Sequence, residues 1–285
     1  DFYQLKRLDP SYKIFWADRP PISMPADQAA VISLFESIES GAGMKLKSYL
    51  EEAKIKYEVG MGDFVYMPSM SLTEYVDIRL LKEAFRLDLF TSISKHIASH
   101  FKNDYLRQIL EFPVLFLGAK PQDTPALYSL MNYADITLGT WYPIGGMYEV
   151  SKAMYQVGVD QGVQYHFASE VIHINPNKNN KVDLHFQNNE SDSFDYVISG
   201  ADYQHTEAKL LSKNLQSYTP KYWDSRALAP SALLYFLGFD TVLPNLEHHS
   251  LFFDASFDYH AREIYDEPAW PKDPLFYTNS SSLTD

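Results

Sequence analysis

The sequence predicts an α+β protein, and three observations carry that reading. Segments of the first half place apolar residues at three- and four-residue spacing, the period of a helix with one buried face. After Gly145-Gly146 the texture changes to short apolar runs separated by turn residues. The stretch from Asn175 to Asn180, Asn-Pro-Asn-Lys-Asn-Asn, has the composition of a hairpin loop joining two such runs.

Taken in order, Tyr12 to Trp16 alternates as a strand does, and the proline-rich stretch from Pro20 to Asp27 breaks the chain before a helix from Asp27 to Ile38. Ser40-Gly41-Ala42-Gly43 ends that helix. From Met44 to Val59, Leu46, Tyr49, Leu50, Ala53 and Tyr57 share one face while Lys and Glu cover the other, which predicts a second helix. Ser71-Leu72-Thr73-Glu74 has the form of a capping box, in which Ser accepts from a first-turn amide and Glu reaches back, so a third helix is expected there. A fourth is expected from Asp88 to Phe101, with Leu89, Ile93, Ile97 and Phe101 on one stripe, and a fifth from Asp104 to Phe112, before Pro113. Thr124-Pro125 reads as a cap followed by a first-turn proline, whose missing N–H costs nothing at that position. A further helix runs from Gly146 to Gly162. Strands follow at 163–167, 170–174, 181–186 and 195–200, then at 231–239, 250–254 and 274–278, with a short helix from Phe257 to Tyr265.

Composition bounds function. With 46% hydrophobic and 21% charged residues over 285 positions, the chain has the balance of a globular protein and enough length for one large core or two smaller ones. A net charge of −13 without any basic stripe argues against nucleic acid, which is held by clustered Lys and Arg, and against a purely electrostatic grip on an anionic bilayer. The absence of cysteine excludes disulfides and thiolate chemistry and fits an intracellular protein. There is no apolar run of roughly 18 residues. With no initiator Met and no signal core at one end and a polar Tyr-Thr-Asn-Ser-Ser-Ser at the other, the chain reads as an internal fragment.

Chemistry-bearing motifs are few. His96 and His100 share a helix face, but the Glu and third ligand of a zinc site are not indicated; adjacent His248 and His249 point to opposite faces of a strand, and His260 stands by itself. No metal is expected. No G-x-S-x-G elbow is present, and the carboxylates form no recognisable pair, so no catalytic residue is assigned.

The most specific segment is Glu111 to Val150, which runs from the apolar Phe112-Pro-Val-Leu-Phe-Leu stretch through Thr124-Pro125 to Pro143-Ile144-Gly145-Gly146. Together with DPSYKIF at 9–15, LGTWYPIGGMYEVSKAM at 138–154, EVIHI at 170–174, VISGADYQHTE at 197–207, YWDSRALAPSALLYFLGF at 222–239, HHSLFFD at 248–254 and EIYDEPAWP at 263–271, it resembles the bacterial phytoene desaturase family, the carotenoid-modifying FAD oxidoreductases. The resemblance implies a portion of an α/β FAD-dependent oxidoreductase that oxidises a C–C bond of a long isoprenoid chain by hydride transfer to flavin. It implies a mainly helical, substrate- and membrane-facing region at 1–145, part of an FAD-binding domain at 146–212, and a return to the substrate-domain sheet at 213–285. It also implies a cytoplasmic protein in peripheral contact with the inner face of the membrane, for which the stretch Leu80 to Phe90 is the candidate; a solvated amphipathic helix is the alternative reading of that stretch.

The resemblance points to Gly145, Gly146, Val171, Gly200, Ala201 and Asp202 as candidates for contact with FAD. Val171 reads equally well as a core residue of its strand, and Gly200 and Ala201 as small residues required by packing. A phytoene-like substrate is almost pure hydrocarbon, so its site must be an apolar cleft. Phe112, Leu115, Phe116, Tyr128, Met131, Trp141 and Tyr142 are the candidates to line it; each taken singly is more commonly a core residue. The sequence departs from the family in one respect. No G-x-G-x-x-G follows a predicted strand, Gly60-Met61-Gly62 lacking both the third glycine and the acidic ribose partner, which leaves open whether this chain retains FAD by itself. The alternatives are a desaturase of hydroxylated carotenoids, a carotene isomerase, or a non-catalytic isoprenoid-binding or lipid-docking module.

Overall fold

The computed structural model describes residues 2–62, 64–66, 70 and 88–285. The capping box at Ser71–Glu74 and most of the stretch from Leu80 lie outside the described residues. The chain divides into two compact units, one made of residues 1–153 and 230–285, the other of residues 154–229.

The first unit is built on a four-stranded sheet. Strand β2 (Tyr12–Phe15) lies between β3 (Ile22–Met24), to which it is antiparallel, and β8 (His249–Phe252), to which it is parallel with Lys13 opposite Ser250; β9 (Phe276–Asn279) completes the order β3-β2-β8-β9. A separate antiparallel pair joins β1 (Leu5–Arg7) to β4 (Trp141–Pro143). Tyr12 and Ile14, alternate residues of β2, enter the core together with Phe35, Tyr49, Ile97, Phe101, Leu106 and Phe112.

The helices form where caps and periodicity predict them. Helix α1 (Gln28–Ile38) starts at Asp27, whose carboxylate accepts from Ala30 N at 2.9 Å, and buries Val31 and Phe35, one turn apart. Helix α2 (Ala42–Gly62) buries Leu46, Tyr49, Leu50, Ala53 and Lys56 on one face. The two helices meet closely: a Cβ at Gly43 would stand 3.0 Å from the Ile32 carbonyl oxygen. Glu36 bridges the same corner, accepting from Gly41 N at 2.8 Å and Gly43 N at 3.0 Å, and these donors hold its carboxyl below the ordinary range. Helix α3 (Ile93–His100) begins later than the apolar stripe predicts. Asp88 has a left-handed φ of 51° and pairs with Lys56 at 2.8 Å, so the chain turns there and Ser92 caps the helix, accepting from Lys95 N at 3.4 Å. Helix α4 (Asp104–Glu111) is capped by Asn103, which accepts from Tyr105 N at 3.0 Å.

Thr124 does not cap a helix. Its hydroxyl donates to Lys120 O at 2.8 Å, and Pro125, in extended conformation, bridges Ser92, so helical turns start only at Ala126 and continue as short segments to Leu138. Within them Asn132 ties three segments together: its carbonyl accepts from Tyr49 OH at 2.6 Å and its amide donates to Leu110 O at 2.9 Å. The stretch 231–239 forms no strand. It is exposed, with Phe236 at 97%, and pairs with no strand among the described residues; an apolar run needs a partner to become a strand.

Helix α5 (Tyr148–Asp160) leads from the first unit into the second. The second unit carries an antiparallel sheet, β5 (Val171–Pro176), β6 (Val182–Phe186) and β7 (Ser191–Phe194). The β5–β6 connection is the expected hairpin: the Asn177 side chain accepts from Asn179 N and Lys181 N, and Asn180 takes the left-handed φ of 60° that asparagine tolerates. Residues 163–167 are not a strand; Tyr165 and Phe167 stack on one another and pack at a tilt against Tyr155 of α5. Residues 195–200 are likewise unpaired, and the third strand is Ser191–Phe194, which the hairpin turn at Asn188-Asn189 presents to β6.

Two outcomes are expected. Ile97 is fully buried between helices, so Ile97→Ala should lower stability by about 2–5 kcal/mol in urea unfolding. Tyr12 OH donates to Asp135 Oδ2 at 2.9 Å, and burial pushes the Asp135 carboxyl up to about 6. A folded pKa above the unfolded value of 3.8 means that the contribution of the protonated group is complete below that value and is lost as pH rises through about 6. Between pH 4 and 7 the wild type should therefore lose on the order of 3 kcal/mol relative to Asp135→Asn, measured as the pH dependence of their unfolding midpoints.

Candidate functional site

Helix α4 runs directly into a tight turn, Phe112–Leu117, with Pro113 in its first position. The tight winding turns Phe112 and Val114 into the core, leaves Leu115 half-buried and sends Phe116 outward at 68% exposure. Gly118 ends the turn with a φ of 67°, and a Cβ there would meet the Pro230 ring at 3.6 Å. Facing this turn is a second helical stretch, Phe257–Ala261 capped by Ser256, continued by a wider turn, Arg262–Asp266. Phe257, His260, Ala261, Ile264 and Tyr265 fall at i, i+3, i+4, i+7 and i+8, one face of that stretch.

Between the two walls, with Pro230–Ala232 at its end, lies a cleft of about 300 Å³. Its lining is mostly apolar: Leu115, Phe116, Pro230, Phe257 and Ile264, with Ser231, His260 and Tyr265 as the hydrogen-bonding groups. Ligand sites span roughly 300–1,000 Å³, and this cleft lies at the small end of that range. The walls are linked by Lys120, paired with Asp266 at 2.5 Å and Asp123 at 3.1 Å, and by Gln122, which donates to Asp258 at 3.1 Å. Lys120 is accordingly held above the ordinary ammonium range by its two carboxylates.

The titratable groups of the cleft are neutral near pH 7. Burial pushes His260 down from its ordinary value, against the opposing pull of Glu263, and burial pushes Tyr265 up. Leu275 N donates to His260 Nδ1 at 3.4 Å, so the neutral ring carries its proton on Nε2. Glu263 is turned away from solvent and accepts from Lys272 N at 3.1 Å.

A wider cavity of about 550 Å³, bordered by Trp16, Asp18, Asn103, Tyr105, Gln108 and Asp254, is less suited to a ligand. Trp16 Nε1 donates to Gln108 at 2.7 Å and Tyr105 OH donates to Asp18, while Arg19 lies over the Tyr105 ring at 3.7 Å with its Nε and one terminal nitrogen buried and without a hydrogen-bond partner among the described residues.

Of the residues expected to meet an apolar substrate, Leu115 and Phe116 line the cleft. Phe112 stands behind them in the core, against Tyr12 and Phe253. Tyr128 and Met131 are half-buried on the turns after Pro125, Trp141 lies beside Arg7 and donates to Leu138 O at 2.9 Å, and Tyr142 is buried against His248 with rings 4.6 Å apart. Those four do not border the cleft. Sequence reasoning missed His260, Ile264 and Tyr265; the signal was the apolar stripe of their helical stretch, read as a short helix without a face.

Gly145 and Gly146 turn the chain into α5 with φ of 89° and 94°, conformations that favour glycine, and the Gly145 N–H donates to the Asp285 carboxylate. In the second unit Val171 opens β5 opposite Phe186. Gly200 and Ala201 are exposed, no atom stands within 4 Å of a Cβ built at Gly200, and Asp202 caps a short helical turn by accepting from His205 N at 2.8 Å.

The histidine pairs have structural partners. His96 and His100 both pack on Tyr49, with ring centroids 5.4 and 5.6 Å away, and burial pushes His96 down to about 4. His248 Nδ1 pairs with the Thr284 hydroxyl and His249 Nδ1 with the Tyr277 hydroxyl, each at 2.6 Å. Among the described residues no three groups of metal-binding type come together.

Comparison with known proteins places this geometry in context. A family model described as flavin containing amine oxidoreductase matches residues 28–261. Over its whole length the chain is 36% identical to a carotenoid 3,4-desaturase of Haloarcula japonica, of which it covers 58%. It is 25% identical to a zeta-carotene-forming phytoene desaturase of Myxococcus xanthus, covering 54% of that protein, and 27% identical to a phytoene desaturase of Neurospora crassa, covering 49%. The chain thus spans about half the length of the curated relatives it matches.

Proposed function

The chain belongs to the flavin-containing amine oxidoreductase family, and on that premise we propose that it forms the substrate-binding portion of an FAD-dependent carotenoid desaturase. The observation that carries this reading is the apolar cleft between Leu115-Phe116 and Phe257–Tyr265. A carotenoid offers almost no polar group, so its binding free energy comes from apolar surface removed from water, at about 25 cal/mol per Å². A cleft lined by Leu, Phe, Pro and Ile supplies that surface.

FAD, when bound, accepts the hydride removed from the chain. The residues of this chain fit part of such a cofactor. Support comes from the exposed backbone at Gly200-Ala201, where a Cβ at Gly200 would meet nothing within 4 Å, and from the position of Val171 at the head of β5; no glycine-rich phosphate loop occurs in the sequence. We therefore assign Val171, Gly200, Ala201 and Asp202 to contact with FAD, and to the cleft the binding and orientation of the substrate and the exclusion of water. Gly145 and Gly146 shape the entry into α5. Peripheral contact with the cytoplasmic face of the membrane that dissolves the substrate belongs to the same proposal; among the described residues no helix is long and apolar enough to cross a membrane.

A second reading, a non-catalytic isoprenoid-binding module, would use the same apolar cleft. Expression of the protein that carries this chain in bacteria that accumulate phytoene separates the two. Bound FAD and newly formed visible-absorbing polyenes are expected, and Phe116→Asp should reduce conversion on the order of tenfold, the equivalent of losing one aromatic contact, with flavin content unchanged. A protein free of flavin that forms no double bonds overturns the desaturase reading.

A further inference from the structure

In the second unit an apolar run follows β7 and finds no neighbour. Tyr196 and Ile198 are 90% and 96% exposed, Val197 is half-buried, and among the described residues the backbone of residues 196–201 makes no hydrogen bond to other backbone. The sheet beside it offers no place. Its inner strand β6 is flanked by β5 and β7, the outer edge of β5 is bridged to Leu211 at Ile174, and β7 passes into the run without the turn that a hairpin requires. The helix that opens the unit is uncovered in the same way. Met154, Tyr155, Val157 and Val159 of α5 are exposed and spread over about 200° of its circumference at 3.6 residues per turn, with Tyr165 and Phe167 packed only against Tyr155. A helix apolar over most of its surface is one that a larger body buries.

Both features describe the same absent neighbour. Tyr196, Val197 and Ile198 are apolar at consecutive positions and not at alternate ones, the pattern of a strand covered on both faces, which belongs to parallel sheets with helices packed on them. The chain spans about half the length of its curated relatives, so those proteins hold as much polypeptide again, enough to supply the strands. We infer that residues 195–199 form an inner strand of a parallel sheet whose other strands lie outside this chain, in the longer protein that carries it, and that the apolar surface of α5 packs on that sheet. Gly200-Ala201 then stands at the carboxyl end of the strand, the end at which open sheets of this kind bind their ligands. The bare backbone at Gly200 follows from the absence of the strands on either side.

The inference rests on the reading of this chain as a portion of a longer protein, and its test is independent of the flavin. Amide hydrogen exchange of the whole protein, read by mass spectrometry on peptides covering residues 195–200, should be slowed on the order of a hundredfold or more relative to an unstructured peptide, and should run at the unstructured rate in the 285-residue chain alone. Ile198→Ala in the whole protein should raise the unfolding equilibrium constant about thirtyfold or more, the cost of emptying a buried site, whereas an exposed side chain would leave it unchanged. Fast exchange at 195–200 in the whole protein, no effect of Ile198→Ala there, or equal protection in the 285-residue chain overturns the strand. Protection that disappears on dilution assigns the run to contact with a second copy and overturns it as well. Slow exchange in a protein free of flavin supports the strand and removes the flavin assignment of Gly200 and Ala201. Bound flavin with fast exchange at 195–200 does the reverse.

Discussion

The position of the cleft depends on β2, the strand held on both edges. Its parallel pairing with β8 brings residues 249–252 beside residues 13–15, and the ladder continues one step further, Phe253 N donating to Phe15 O at 2.8 Å. That bond fixes where Phe253 enters the core. There its ring meets Trp16, Phe112 and Phe257, with centroids 6.1, 5.9 and 4.9 Å apart. Phe112 heads one wall of the cleft and Phe257 heads the other. A backbone pairing between segments distant in sequence thus sets the separation of two walls that make few bonds to each other.

The ion pairs and hydrogen bonds across the walls contribute less. Lys120–Asp266 and Gln122–Asp258 join side chains in contact with water, which screens and competes for such pairs. Edge-to-face rings buried in the core add about 0.5–1.5 kcal/mol per pair beyond the area they remove from water. The aromatic group Phe112, Phe253 and Phe257 therefore holds the base of the cleft, while its mouth is held weakly.

Much of the fold was legible from local signals. Leu46, Tyr49, Leu50 and Ala53 reveal a buried helix face by spacing, and in the second unit the run from Asn175 to Asn180 declares its hairpin. Where non-local partners decide, local reasoning failed. Pro125 was read as the first residue of a helix, but its bridge to Ser92 holds it extended. Residues 163–167 have the composition of a strand, yet the rings of Tyr165 and Phe167 find each other and Tyr155. The cleft was half legible. Leu115 and Phe116 stood out in an apolar run, whereas His260, Ile264 and Tyr265 lie some 140 residues further on and reach it only through β8.

The segment from Ser231 to Phe239 has a consequence for the chain in solution. It is nine residues of Leu, Tyr, Phe, Ala, Gly and Ser without a charge or a proline, outside any helix or strand and exposed along its length. Among the described residues its backbone makes no hydrogen bond to other backbone, and large apolar side chains stand beside it, the composition from which cross-β stacks grow. The folded helices and sheets around it give no protection, since the hazard lies in the native state and not in its unfolding. Self-association of this chain would therefore rise with protein concentration and persist at temperatures where every core residue is in place, and a charge introduced at Phe236 would relieve it without touching the core.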